Sequence, residues 1–280
     1  MSSPADRLHV VDHPGEDPPF VMMHGFPDDH HIYDHLAPLL SPRRVIAFDF
    51  FGYGQSGRAA TAGEQTTPGE DLTAVLDSLA LDEVVLVGHD ASGPVAIDYG
   101  LEHPARVPQL VLLDTYFGHA PALRLPEMIR LFADHELAPL ADAIVADQAQ
   151  LLWLLNHTAR QFFGTDDLPP DGITVTSILP QFFADADKPD ALAAFRAWTG
   201  TLFADLDEQD ARIESGQLET ADFPVTLMVG ADDAYLGPDL ARHLAELFAK
   251  SDVTIVPHAS HWPQWDQPEV VARHLLALPT

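Results

Sequence analysis

Six short, nearly continuous apolar runs constrain this chain more than any other feature: FVMMHG (20–25), RVIAFD (44–49), EVVLVG (83–88), QLVLLD (109–114), VTLMVG (225–230) and VTIVP (253–257). A strand with one face in water alternates apolar and polar residues. A run without alternation has no face to give to water, so these predict strands buried on both sides of a parallel sheet. Segments with helical spacing separate most of them. In 67–80, Leu72, Val75, Leu76 and Leu79 fall on one stripe, and Thr67, Pro68 and Glu70 supply an N-cap, a first-turn proline and a capping-box acid. Residues 91–103, 237–250 and 267–277 also predict helices. Alternation of this kind specifies an open α/β sheet. A chain of 280 residues, 46% hydrophobic, has enough apolar material for its core.

One interval breaks the rhythm. Between Asp114 and Phe223 no run predicts a strand, and segments near 126–135, 139–163 and 188–204 predict helices. A structureless loop of that length does not fit a compact domain. The expected organisation is an α/β core over 1–115 and 223–280, carrying a helical cap over 116–222. That cap leaves the carboxyl end of a strand, where α/β sheets place their sites. PGEDPP (14–19) reads as a turn between two early strands.

Composition removes several function classes. There is no cysteine, hence no disulfide, no thiolate nucleophile and no Cys-ligated zinc. The opening MSSPADRLHV lacks the basic stretch and apolar core of a signal peptide. No apolar run approaches the roughly 18 residues of a membrane span. A soluble, cytoplasmic protein is expected. The formal charge of −29 repels nucleic acid and anionic membranes, so neither is expected as a partner. Lysine occurs only at 188 and 250, and Asp outnumbers Glu. That bias fits adaptation to high salt and fits GC-rich codon usage equally well.

VLVGHDASGPVA (85–96) carries the chemistry. An apolar strand ends in Gly-His-Asp, and small residues follow. Gly88 and Ser92 flank Asp90 at the spacing of a sharp strand-to-helix turn, which needs small neighbours to hold one side chain aloft. With HGFP (24–27), DFFGYGQSG (49–57), GADD (230–233) and SHWPQW (260–265), five segments stand in order along nearly the whole chain. In these segments the sequence resembles the α/β-hydrolase fold. It is similar to the branch with an aspartate nucleophile, the haloalkane and haloacetate dehalogenases and the epoxide hydrolases.

The resemblance implies a mainly parallel sheet of about seven strands, one fewer than the usual family core, because only LHVV (8–11) precedes the run at 20–23. It implies roles as well. Asp90 is the nucleophile, since a carboxylate displaces a leaving group at an sp3 carbon and becomes an alkyl ester. His261 is the base that activates water against that ester, and Asp233 orients and stabilises the imidazole. The N–H groups of Phe26 and Ala91 form the oxyanion hole. No cofactor and no metal are expected; the partners are a small neutral organic substrate and water.

Alternatives accompany each assignment. Asp90 alone could cap the helix that follows, or Ser92 could be the nucleophile of a shifted elbow. Asp232 and Asp114 are alternative acids, the latter at a strand end where some haloalkane dehalogenases keep theirs. DDHHIYDH (28–35) suggests a metal site through His31 and His35. Its other reading is the polar start of a helix that packs Ile32, Leu36 and Leu39. The reaction class is open too, because Asp90 with His261 could serve a cofactor-free lyase, or the fold could bind a ligand without turnover.

The electrophile is where the subfamily markers run out. Haloalkane dehalogenases usually carry Trp after the nucleophile; here it is Ala91. Haloacetate dehalogenases carry Arg there and three residues on; here Ala91 and Pro94 stand. Epoxide hydrolases use cap tyrosines, but 117–222 holds no Tyr, and Phe195 stands in AFRAW (194–198) where such a Tyr is common. An alkoxide needs a proton, whereas halide needs only hydrogen-bond donors, which Trp153, Trp198 or His157 could supply. The expectation is therefore a dehalogenase, with Tyr116 keeping an epoxide hydrolase in view.

Overall fold

The computed structural model describes residues 4–58, 65–163 and 189–279. Seven strands form one sheet: β1 (Val10–His13), β2 (Glu16–Met23), β3 (Arg43–Phe48), β4 (Val85–Asp90), β5 (Gln109–Thr115), β6 (Val225–Gly230) and β7 (Ser251–Val256). Their order is β1-β3-β2-β4-β5-β6-β7. β1 pairs antiparallel with β3, and all other pairs are parallel. The apolar runs have the expected cause. In β2, Phe20 and Met22 pack into one core while Val21 and Met23 pack into the other; in β4, Val85 and Val87 oppose Leu86. Both faces are covered, so the alternate positions of these runs are apolar as well.

PGEDPP departs from its expected turn. β2 begins inside it, at Glu16, which pairs with Arg43 before a register shift at Phe20. Its exposed, proline-containing start hides the strand from a hydrophobicity reading. The segment 28–35 also departs. It forms a 3-10 turn over His30–Tyr33 followed by another over Ala37–Leu40, so Leu40 enters the core and Leu39 is exposed. The tighter winding, three residues per turn, changes which leucine faces inward.

Helices α1 (Pro68–Ser78) and α2 (Ser92–Glu102) follow β3 and β4, and α1 carries the complete Thr67–Glu70 capping box. Between β5 and β6 lie α3 (Glu127–Ala133), α4 (Ala138–Val145), α5 (Gln148–Phe163), α6 (Pro189–Thr199) and α7 (Leu202–Glu214). Among the described residues there, no strand occurs. The helix expected over 139–163 is two helices, divided where Asp147 accepts the N–H groups of Ala149 and Gln150. The one expected over 188–204 divides at Gly200, and α7 runs well past its expected end. After β6 and β7 come α8 (Pro238–Glu246), the short α9 (Pro263–Asp266) and α10 (Pro268–Leu276). No helix among the described residues is long and apolar enough to cross a membrane.

Candidate active site

β4 delivers Asp90 at its last residue, with φ +49, a left-handed conformation that non-glycine residues seldom adopt. Two approaches make that conformation tolerable. A Cβ on Gly88 would lie 2.9 Å from the Ser92 carbonyl oxygen, and one on Gly93 would overlap the Thr115 side chain. A third glycine fixes the carboxylate itself: a Cβ on Gly25 would lie 2.7 Å from Cβ of Asp90. The backbone carrying Phe26 can therefore come close, and its N–H donates to Oδ2 of Asp90 at 3.0 Å.

Neither alternative at the elbow fits this geometry. Ala91, not Asp90, holds the N-cap position of α2, and the Asp90 carboxylate turns away toward Phe26. Ser92 is fully buried; its Oγ lies 2.8 Å from the His89 carbonyl and 3.0 Å from that of Met23, and accepts the N–H of His89 at 2.9 Å. That hydroxyl holds the turn together and faces no pocket.

His261, in the loop after β7, donates from Nδ1 to Oδ2 of Asp233 at 2.8 Å. The other Asp233 oxygen accepts the N–H groups of Tyr235 at 2.8 Å and Leu236 at 3.1 Å. Burial opposes the charge on Asp233, but the imidazole and these hydrogen bonds hold its pKa down at about 2. Burial also opposes a charged His261. The carboxylates of Asp233, Asp90 and Asp28 outweigh it and raise the imidazole to about 9. Nε2 of His261 stands 4.0 Å from Oδ1 of Asp90, too far for a hydrogen bond. Burial pushes the Asp90 carboxyl upward, against the pull of His261, His89 and the Phe26 N–H.

The alternative acids separate by environment. Asp232 is exposed. Asp114 is buried, and it lies with Asp233 and His261 in a cluster whose nearest polar atoms are within 4.8 Å of one another. It accepts the Gly230 N–H at 2.9 Å, while burial and then the charge of Asp233 raise its pKa well above the usual carboxylate range. Its surroundings thus oppose charge on Asp114, while the hydrogen bonds to Asp233 favour charge there.

A pocket opens over Asp90 and Ala91. Phe26, Leu125, Pro126, Ile129, Phe162, Leu202 and Leu236 supply apolar wall, and Tyr116, Trp198, Thr199 and Tyr235 bring polar atoms. Asp90 is the only charged side chain among the described lining residues. Two expected contacts are not there. Trp153 is 65% exposed and stacks on His157 at 5.1 Å, one turn along α5, and neither lines the pocket. The helical stripe that α5 buries runs through Leu151, Leu154 and Phe162, leaving Trp153 on the outer face. Phe195 is buried against Phe26 and Phe132 as wall packing. Trp198 and Tyr116 do line the pocket; neither the indole N–H nor the phenol has a hydrogen-bond partner among the described residues. Tyr235 is an addition that the sequence did not suggest. Its hydroxyl donates to Glu127 at 3.1 Å, and its position two residues past Asp233, in a loop that must face the site, was the available signal.

The histidines of 28–35 have other partners. His31 pairs with Asp34, and His35 stacks on Trp265 with ring centres 3.7 Å apart. His30, near His9, donates from both its backbone N–H and Nδ1 to Asp49, whose other oxygen accepts the Gln55 N–H. These bonds tie the loops after β2 and β3 together behind the Phe26 segment.

An open, mostly parallel sheet that sets a carboxylate on a strained elbow, opposite a histidine–aspartate pair, defines a hydrolase class. The alpha/beta hydrolase fold family model matches residues 18–268, and the chain belongs to that family. Bifunctional epoxide hydrolase 2 of Sus scrofa is 24% identical over 99% of this chain. The match spans only 54% of that protein, so the chain corresponds to about half its length. Haloalkane dehalogenase 2 of Mycobacterium tuberculosis is 26% identical over 99% of this chain and 92% of its own. Among solved structures, the epoxide hydrolase CorEH superposes with a TM-score of 0.74 at 20% identity, covering 96% of this chain and 93% of that one. The chain is an α/β-hydrolase enzyme with both dehalogenases and epoxide hydrolases among its relatives.

Proposed function

We propose that this enzyme uses Asp90 as a nucleophile to open an sp3 electrophile of a small neutral compound, through an alkyl ester that water then hydrolyses. One observation carries the reading: Oδ2 of Asp90 is held by the Phe26 N–H, while Oδ1 has no hydrogen-bond partner among the described residues and stands 4.0 Å from Nε2 of His261. In the first step Oδ1 attacks carbon and the leaving group departs with its electron pair. The ester carbonyl oxygen is then Oδ2, already at the Phe26 N–H, where negative charge develops in the second step. The gap to Nε2 suits a water that attacks the ester carbon as His261 takes its proton. The ester C–O bond breaks, the alcohol leaves and Asp90 is regenerated; the proton taken by His261 goes to solvent after halide release, or restores the Tyr116 phenol after epoxide opening. An oxygen held in this way is placed to become the ester carbonyl, which favours the covalent route over a lyase or a passive binding fold.

The leaving group decides the subclass. With Trp153 and His157 outside the pocket, the case for halide rests on the indole of Trp198. The phenol of Tyr116, which lines the pocket with Asp90 and has no hydrogen-bond partner among the described residues, favours an epoxide, whose opening leaves an alkoxide that must be protonated. Burial and the Asp90 charge raise the Tyr116 pKa, and alkylation of Asp90 removes that charge at the moment the proton is needed. We therefore place an epoxide hydrolase first and keep the dehalogenase as second reading on Trp198. The absence of a cationic side chain among the described lining residues argues against carboxylate substrates such as haloacetates.

His261→Gln tests the mechanism. The variant should convert about one equivalent of an epoxide or haloalkane and stop, gaining the alkyl mass on Asp90 by peptide mapping. With a turned-over substrate in hand, a variant that neither bursts nor gains mass refutes the covalent route. Tyr116→Phe and Trp198→Phe then sort the subclass. Loss of one transition-state hydrogen bond slows the first step by roughly ten- to a thousandfold. A large effect at Tyr116 alone supports the epoxide reading, and one at Trp198 alone supports the halide reading.

A further inference from the structure

Asp114 is a buried carboxyl for which the mechanism above has no use. It is the penultimate residue of β5, with φ +36, another left-handed residue, and is 2% exposed. One oxygen accepts the Gly230 N–H at 2.9 Å; the other, Oδ2, is buried without a hydrogen-bond partner among the described residues. Asp233 and His261 share its cluster, within 4.8 Å. A Cβ on Gly230 would overlap the Ser260 carbonyl, so the end of β6 lies tight against the loop that carries His261, and the Gly230 N–H ties Asp114 of β5 to the same point.

Two carboxylates this close in a dry site cannot both be ionised at modest cost, so the pair holds one charge and one proton. The charge sits where the hydrogen bonds are. Asp233 accepts three donors and Asp114 accepts one. The proton then belongs on Asp114, and Oδ2 is the oxygen left to carry it. An aliphatic residue would fill this volume without burying an unpartnered polar oxygen, which costs about 1–3 kcal/mol.

We propose that Asp114 is a positioning residue and reserve acid: Asp114 and Asp233 jointly hold a single negative charge beside His261, on Asp233 in the native chain and on Asp114 when Asp233 cannot carry it. The consequence for catalysis rests on His261 being the base of the reading above. The charge itself does not, and can be read without substrate. Asp233, Asp90 and Asp28 act on the His261 ring, and His89 packs against it with ring centres 4.9 Å apart, while Asp233 and Asp266 act on Asp114. After burial, the charge of Asp233 is what most strongly keeps Asp114 neutral, so its removal frees Asp114 to ionise.

The experiment is NMR titration of the His261 ring, identified by its loss in His261→Gln, in five chains: native, Asp114→Asn, Asp233→Asn, Asp233→Ala and the double variant Asp114→Asn/Asp233→Ala. Asn suits position 114 because it tolerates the left-handed backbone. Asp233→Ala accompanies the Asn change because an amide can trap the opposite imidazole tautomer. In the native chain, where the neighbouring carboxylates raise His261 to about 9, the ring should titrate there. It should fall in Asp233→Ala and fall further in the double variant by about one unit or more, a tenfold change in the imidazolium ratio. The Asp114→Asn shift should be smaller than that of either Asp233 variant. Equal titration of Asp233→Ala and the double variant overturns the proposal, as does an Asp114→Asn shift as large as that of Asp233→Ala. Where an alkyl-enzyme forms, its hydrolysis should slow in the order native, Asp233→Ala, double variant. The titration order, found together with a His261→Gln chain that neither bursts nor gains mass on a turned-over substrate, refutes the covalent reading and leaves the shared charge standing.

Discussion

His261 in the resting site is an imidazolium at neutral pH, yet the second step needs it as a base. Its elevation to about 9 comes partly from the negative charge of Asp90, and alkylation abolishes that charge. The first step therefore prepares the base for the second. Asp90→Asn, which mimics the neutral ester, should lower the His261 pKa in a ring titration; an unchanged value would mean that Asp90 does not act on the imidazole. The same shift bears on stability. The folded value lies above the unfolded 6.5, so the stabilisation from His261 is full below pH 6.5 and is lost as pH rises through 9. At about 1.4 kcal/mol per unit this amounts to a few kcal/mol. Chemical denaturation should show the native chain losing stability between those limits, and His261→Gln losing much less. Asp233 has the opposite sign: its contribution is present above pH 3.8 and is lost as pH falls through about 2.

At the scale of elements, the loop after β2 and the elbow after β4 are fitted to each other through Gly25. A Cβ there would press on Cβ of Asp90 and stand 2.8 Å from Nδ1 of His89. Gly25→Ala should therefore displace the carboxylate from the Phe26 N–H without unmaking the sheet. Misplacement of a reacting group by about an ångström costs around a hundredfold. The expected outcome is a thermal transition close to native with an alkylation burst slowed by that order; a native burst rate would show that the approach is not needed. What the sequence disclosed follows the same division. Strands β2 to β7, Asp90, His261 and Asp233 are visible because buried parallel strands and a tight elbow leave strong local signatures. The pocket wall is not visible, because it depends on how helices α5 and α6 are rotated against the core. Trp153 and Trp198 look alike in sequence, and only packing puts one on the surface and the other over Asp90. Tyr235 is hidden for a related reason, since it reaches the pocket from the loop that carries Asp233 and not from a helix between β5 and β6.

On the scale of the whole molecule, charge dominates. The chain has 43 acids and only 14 lysines and arginines, so pairing every cation still leaves a charge of −29. The ion pairs formed are mostly exposed, such as Arg44 with Asp12 and Lys250 with Asp222, and exposed pairs contribute about 0–1 kcal/mol each. They cannot offset repulsion summed over the surface. Unfolding spreads these charges apart, so repulsion acts against the folded state, and any screening of it should favour folding. The screening length falls from roughly 30 Å at 0.01 M salt to about 3 Å at 1 M, shorter than typical spacings between surface carboxylates. The melting temperature should accordingly rise as sodium chloride goes from dilute buffer to molar concentration. Sodium sulfate strengthens apolar burial as well, so chloride is the cleaner probe. Most of the rise should come below about 0.3 M if long-range repulsion is the cause, because screening is nearly complete by then. A rise spread evenly to several molar would point to solvent exclusion. A flat curve would show that the acids are spaced widely enough to coexist unscreened, leaving codon usage as the account of the composition.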